Sequence, residues 1–302
     1  MTVTRRSALA ALPVLLAAGL ARGDSLAQQV QAALAAPGDP VQAGVWFGPA
    51  SHEPRYQLAA DRAIPAASAV KTAILIELFA AHAGHLDEPL GTDAVLADDR
   101  HLALAPFSAA QRKEVRAGLW GASVRTVGAV MMGSHKASGT VYSAAANLAI
   151  ASLGGPAETT ARIAARDPRF TGVVIRRYML APRAPGDNLA TPTALAAVLA
   201  AVATRELPGV DAATAAAIVQ AMMQSTDPAL GEHRSKEGDL DSDPMVVLKT
   251  GFYLRGGAGP PLVYVVAAVL TGAPTGTRDA AHRRLDQLTD AIHARLRAAA
   301  GR

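Results

Sequence analysis

The sequence contains no cysteine, which removes disulfide staples, thiolate metal sites and cysteine nucleophiles together. Lysine is almost as scarce: of 29 basic residues only Lys71, Lys113, Lys136, Lys236 and Lys249 are lysines. Each is therefore a stronger candidate for a specific role than a lysine in an ordinary chain. Aromatic residues make up 4%, too few for the stacking platforms of a nucleic-acid binder, and the arginines behind the +4 net charge are scattered rather than gathered in a patch. The eight histidines show neither HExxH nor His-x-His spacing. His52, His82, His85, His101 and His135 read as ordinary histidines, and no metal or other cofactor is implied.

What is present supports a folded enzyme. With 302 residues, half of them hydrophobic, the chain can bury a full core as one large domain or two intimate ones. Residues 1–27 read as an export signal. Arg5 and Arg6 are paired, an apolar run follows from Ala8 to Ala21, and small residues suited to cleavage lie near Gly23 or Ala27. Thr4-Arg5-Arg6-Ser7 is similar to a twin-arginine signal. A retained membrane anchor is the alternative, but fourteen apolar residues are short of the ~20 a spanning helix needs. The mature chain is expected to be periplasmic or secreted, without a stable span, and monomeric.

The stretch Ile64 to Gly84 organises the rest. Pro65 suits the first turn of a helix and Gly84 its end, while Ile74, Leu75, Leu78 and Phe79 recur at core-facing spacing. Ser68 and Lys71 stand at i and i+3 near its start, sharing one face where unpaired amides and the positive end of the dipole gather. A serine hydroxyl needs a base to become a nucleophile, and Lys71 is a base only if burial or a second cation lowers its pKa. The pair therefore predicts another cation close by. Standing alone, it reads as a helix-start serine beside a solvated lysine.

Strands are expected over 41–47 and 55–58, helices from 108 to about 231 with a loop at 176–189, and a helix from Thr193 capped by Thr191-Pro192. Two Val-rich strands, 245–254 and 262–271, are joined by a Gly-rich connection. The last helix, 279–299, carries Leu285, Leu288, Ile292 and Leu296 on one stripe. Lys249-Thr250-Gly251 lies on the first of those strands. It would supply both the missing cation and an anchor for a substrate carboxylate.

With both motifs in hand, the sequence resembles the serine β-lactamase and penicillin-binding-protein superfamily, in its class A β-lactamase-like branch. Ser68-Ala69-Val70-Lys71 matches Ser-x-x-Lys and Lys249-Thr250-Gly251 matches Lys-Thr-Gly. Asn147 with Leu153-Gly154-Gly155-Pro156 is similar to the helix after Ser-Asp-Asn, and Pro185-Gly186-Asp187 with Thr191-Pro192 is similar to the omega loop and its following helix. The resemblance implies an α/β protein of α+β type: an antiparallel sheet flanked by N- and C-terminal helices (about 28–66 and 239–302) plus an all-helical domain (about 67–238). It implies Ser68 as nucleophile, Lys71 as base, Lys249 and Thr250 on the substrate carboxylate beside Gly251, and the amides of Ser68 and Phe252 as oxyanion hole. Ser-Asp-Asn itself is missing. Ser134, Ser138 and Ser143 are candidates for its serine, and Ser138 is preferred for its following Gly139. The omega-loop glutamate falls on Arg177 and its partner asparagine on Ala181. An arginine takes no proton from water, so deacylation is expected to be impaired unless a residue such as Asp187 serves. The implied activity is β-lactam hydrolysis, with a D-alanyl peptide or ester as the other small-molecule substrate and a non-catalytic binding protein as the rival.

Overall fold

Valine-rich runs with no polar alternation dictate strands buried on both faces, and two such strands form the centre of the sheet. The computed structural model describes residues 25–34, 41–51, 53–255, 259–272 and 277–300. Residues 1–24 of the expected export segment, His52 and the middle of the Gly-rich connection lie outside the described residues. The elements run α1 (Leu26–Leu34), β1 (Gln42–Pro49), β2 (Tyr56–Leu58), β3 (Ile64–Pro65), a 3-10 turn (Ala67–Val70), α2 (Lys71–Ala81), α3 (Asp93–Ala97), α4 (Ala109–Leu119), α5 (Val124–Met132), α6 (Gly139–Ser152) and α7 (Pro156–Arg166). There follow a 3-10 turn (Pro168–Phe170), β4 (Leu189–Ala190), α8 (Pro192–Thr204), α9 (Ala212–Ala221), β5 (Met223–Asp227), β6 (Gly231–Ser235), β7 (Gly238–Leu240), β8 (Met245–Leu254), β9 (Leu262–Leu270) and α10 (Arg278–Ala300).

The main sheet is antiparallel, in the order β2-β1-β9-β8-β6-β5, with β7 also on β8. Ser235 opposes Gly251 and Gly238 opposes Leu248, so β6 and β7 keep one register and act as a single strand with a short break at 236–237. One face is covered by α1 and α10, whose Val30, Leu285, Ile292 and Leu296 are buried. The other packs on the helical half. The expected mixed architecture of terminal helices, antiparallel sheet and helical insertion is the one observed. The sheet begins earlier than position 239, because β5 is a polar edge strand, exposed at its first four residues, that offers no apolar period to read.

The stretch 64–84 is not one helix. Ile64 and Pro65 pair with β4, the Ala66 amide donates to the Asn188 carbonyl, and Ala67 takes a left-handed φ of 45° before the 3-10 turn begins. α2 itself is buried along Lys71–Phe79. Its one buried carboxylate, Glu77, accepts two hydrogen bonds from Arg166, at 3.0 and 2.9 Å. α5 crosses α2 at Gly128, where a Cβ would come within 2.4 Å of the Phe79 ring and 2.9 Å of Leu75. Both neighbours are fully buried and cannot move aside. Gly128→Ala should therefore destabilise the fold by about 1–3 kcal/mol through overpacking, read as a lower urea midpoint at unchanged slope.

Candidate active site

Ser68 and Lys71 open onto one cavity of about 250 Å³, shared with Ser143, Arg177, Met179, Asp187, Asn188, Asp239 and Asp241. The 3-10 turn leaves the Ser68 amide among the first-turn donors that no helical carbonyl takes up. Lys71 is 1% exposed. Burial first, and then the positive charge of Lys236, hold its pKa well below the usual lysine value, while Asp239 pulls weakly the other way. Among the described residues no carboxylate comes within ion-pair distance of it. Its Nζ lies 3.3 Å from the centroid of the Tyr142 ring.

The second cation expected from the Ser-x-x-Lys spacing exists, but it is Lys236. Its buried Nζ lies 2.5 Å from the Tyr142 hydroxyl and 3.4 Å from the Met132 carbonyl. Tyr142 thus stands between the two lysines, with its ring under one and its hydroxyl on the other. Sequence reasoning passed over both residues. Lys236 sits in Lys236-Glu237-Gly238, where Glu replaces the expected hydroxyl residue, and Tyr142 belongs to none of the motifs.

The three candidate serines separate clearly. Ser138 is exposed at the N-cap of α6, its Oγ accepting from the Val141 amide at 3.2 Å. The Ser134 hydroxyl donates to the Ala221 carbonyl at 2.7 Å. Only Ser143 lines the cavity with Ser68. The geometry therefore does not bring Ser138 to the site, because its hydroxyl is committed to starting a helix.

Lys249, Thr250, Gly251 and Phe252 are also placed elsewhere. Lys249 projects from the far face of the sheet, with Nζ 2.6 Å from Asp290 and 3.2 Å from Asp286, both on α10. The Thr250 hydroxyl donates to the Lys236 carbonyl. Gly251 admits the Tyr264 hydroxyl and the Arg234 carbonyl, 2.8 and 2.4 Å from where a Cβ would stand, and Phe252 is core. The strand that touches Ser68 is β7. A Cβ on Gly238 would stand 2.8 Å from the amide nitrogens of both Ser68 and Ala69.

Ladder geometry then locates a second amide. The Lys236 amide donates to the Thr250 carbonyl at 2.9 Å, which makes that pair a hydrogen-bonded one. Alternation turns the amides of Glu237 and Asp239 away from β8. The Asp239 N–H is thus left without a β8 partner, and Asp239 lines the Ser68 cavity, so the amides of Ser68 and Asp239 are the backbone donors available to an oxyanion where the resemblance implied Phe252.

The loop at 176–189 is tied from within. Arg177 donates to the Ala181 carbonyl at 2.7 Å and to Asp187 at 2.8 Å, and Arg183 reaches Asp187 at 3.1 Å. Asn188 Oδ1 accepts from the amides of Arg176 and Arg177. Asn147, buried in α6, clamps Met179 on both sides: its Oδ1 accepts from the Met179 amide at 2.6 Å and its Nδ2 donates to the Met179 carbonyl at 3.2 Å. The residue so fixed over the cavity is Met179, and Arg177 is the loop's internal tie. The only loop carboxylate facing the cavity, Asp187, is held by two arginines.

No protein-family model matches the sequence, and no curated protein does. Solved structures match over nearly the whole chain. An ancestral class A β-lactamase is 19% identical at a TM-score of 0.60, covering 89% of this chain and 97% of that one. A β-lactamase from Desulfarculus baarsii is 16% identical at 0.61, covering 88% and 95%. The TLA-1 extended-spectrum β-lactamase is 12% identical at 0.64, covering 90% and 98%. The chain has the class A β-lactamase-like fold, as its motifs implied.

Proposed function

We propose that the chain is a serine hydrolase that acylates Ser68 with a small amide or ester, a β-lactam first among them and a D-alanyl peptide or ester second. The observation that carries this reading is Lys71: a fully buried lysine beside a serine, without a carboxylate, its ammonium disfavoured by burial and by Lys236. Burial and a neighbouring cation shift such an amine toward the neutral form that can accept a proton. Ser68 Oγ attacks the carbonyl carbon as its proton passes to Lys71. The amides of Ser68 and Asp239 receive the charge that develops on oxygen. Tyr142, hydrogen-bonded to Lys236 and lying under Lys71, is assigned here the transfer of a proton to the leaving nitrogen or oxygen, in place of the second-motif serine for which the sequence favours Ser138. The products are an ester on Ser68 and the freed amine or alcohol; for a β-lactam the two stay in one molecule.

We further infer that the chain acts after export as a monomer. The paired Arg5 and Arg6 motivate the export reading, and among the described residues no helix is long and apolar enough to cross a membrane. Intact mass after incubation with a penicillin tests the reaction. The two lysines of the sheet should separate cleanly. Lys236→Ala should slow acylation roughly 10²-fold or more, as loss of a group acting on proton transfer does. Lys249→Ala should leave acylation unchanged and cost at most ~1 kcal/mol of stability, because its partners are exposed. Equal effects on the burst rate would reject the reassignment.

A further inference from the structure

The loop over the cavity presents three apolar residues in a row, Met179, Leu180 and Ala181, and all three line it. Met179 is buried, but Leu180 is 62% exposed. A single exposed leucine is ordinary on a protein surface. This one is not, because its backbone is left-handed, with φ at 63°. The Ala181 amide donates to the Tyr178 carbonyl at 3.2 Å, so Leu180 is the third residue of a tight turn, a place where positive φ favours glycine or asparagine. A leucine there strains the backbone and gains little burial in exchange.

The turn is fixed from both ends. Asn147 grips the backbone of Met179, and Arg177 donates to the Ala181 carbonyl at 2.7 Å. Asn147 Nδ2 also donates to the Ala103 carbonyl at 2.9 Å, and the His101 ring meets the Tyr178 ring edge-on, with 6.4 Å between centroids. The stretch 101–103 therefore adjoins the turn, and it carries Leu102, 71% exposed. Leu102 and Leu180 are the two most exposed large apolar residues among the described ones. The charged groups of this loop are engaged with each other, Arg177 and Arg183 sharing Asp187.

We propose that the acyl donor carries an apolar chain that packs on Met179 and Leu180, which makes Leu180 a specificity-determining residue. The inference rests on the serine-hydrolase reading above and adds the substrate class. The reaction is unchanged: the bond from Ser68 Oγ to the carbonyl carbon forms, the bond to the leaving atom breaks, and the Ser68 proton ends on that atom. A methylene fully removed from water is worth about fourfold, and one covered on a single side about twofold.

The probes are thioesters with acetyl, butyryl or hexanoyl chains, and a fourth in which an ether oxygen replaces one methylene of the hexanoyl chain. A second set places chains of the same lengths on the thiol side. The protein has no cysteine, so a chromogenic thiol reagent reads only the thiol released, and intact mass is followed in parallel. In one of the two sets acylation should quicken about twofold per methylene, on the order of tenfold from the shortest chain to the longest, and the ether should fall behind its hydrocarbon counterpart. These comparisons need no variant. Leu180→Asn, which suits a left-handed backbone, should bring the ratio of longest to shortest toward one and leave the urea midpoint no lower than that of the wild type. Rates independent of chain length in both sets, an ether that matches its hydrocarbon, or a ratio that Leu180→Asn leaves intact each overturn the substrate class and leave Ser68 acylation standing. A midpoint that falls in Leu180→Asn overturns it as well, since the leucine would then serve the fold. Wild type that gains no mass from any probe overturns the serine-hydrolase reading itself, and the substrate class with it.

Discussion

Incubated with a penicillin, the protein should gain the mass of one ring-opened drug molecule, and Ser68→Ala should abolish the gain. Lys71→Ala should slow it by roughly 10²–10⁴-fold, the usual worth of a positioned base. Lys71→Arg discriminates further. It keeps a positive group in place but offers one that does not give up its proton in a protein, so it should fare no better than alanine if Lys71 acts as base. If Lys71→Arg labelled at the wild-type rate, the lysine would be acting only as a charge. Mass that survives Ser68→Ala would remove Ser68 as nucleophile. The test is sharp because the other lysine near the serine, Lys236, is aimed at the Tyr142 hydroxyl and is left intact in all three variants.

A second large effect is expected after acylation. In the mechanism proposed above acylation uses Ser68, Lys71, Tyr142 and two backbone amides, whereas hydrolysis of the ester needs a base poised over water. The loop above the cavity offers Met179, Leu180 and Ala181 to that water, together with an Asp187 already bound by Arg177 and Arg183. A chromogenic cephalosporin should therefore give a burst of one equivalent followed by slow turnover, with deacylation slower by roughly 10²–10⁴-fold than with a base in place. The acyl-enzyme should be visible by mass spectrometry. Arg177→Glu is a poor way to restore turnover, since it would set a second carboxylate beside Asp187 and cut the loop's internal tie. Met179→Glu is the better substitution, because Asn147 fixes that backbone over the cavity; it should speed the slow phase. Fast multiple turnover without a burst would mean that a base is present, with Asp187 the first to examine.

Which parts of this site were legible follows from how local each signal is. Ser68 and Lys71 are three residues apart, and any helical turn brings them together, so the pair could be read directly. The Lys-Thr-Gly triplet could not be placed, because three residues do not reveal which strand of a sheet carries them. Lys249 lies within a long Val-rich run that announces a strand, while Lys236 precedes the short acidic β7, which announces nothing. Pairing across β8 puts the two lysines on opposite faces, and a pairing of distant segments is absent from local pattern. Tyr142 was hidden for the same reason, since its partner Lys236 lies 94 residues away. The architecture was more legible than the site: the stripe of Leu285, Ile292 and Leu296, the Thr191-Pro192 cap and the β8–β9 pair all rest on periodicity or capping. The polar edge strands β5 to β7 do not, and there the expected boundary slipped.

The burial of Lys71 ties the folding equilibrium to proton concentration. In the unfolded chain this lysine titrates near 10.4, whereas in the fold its pKa lies well below that. Between the two values the unfolded state binds the extra proton, so acidification through this window favours unfolding and stability rises with pH until about 10.4. At neutral pH the native state therefore forgoes part of the stability it could have, at the residue its chemistry requires. Replacing Lys71 by Met should raise the denaturation midpoint most near neutrality and progressively less toward alkaline pH, giving a more stable and inactive protein.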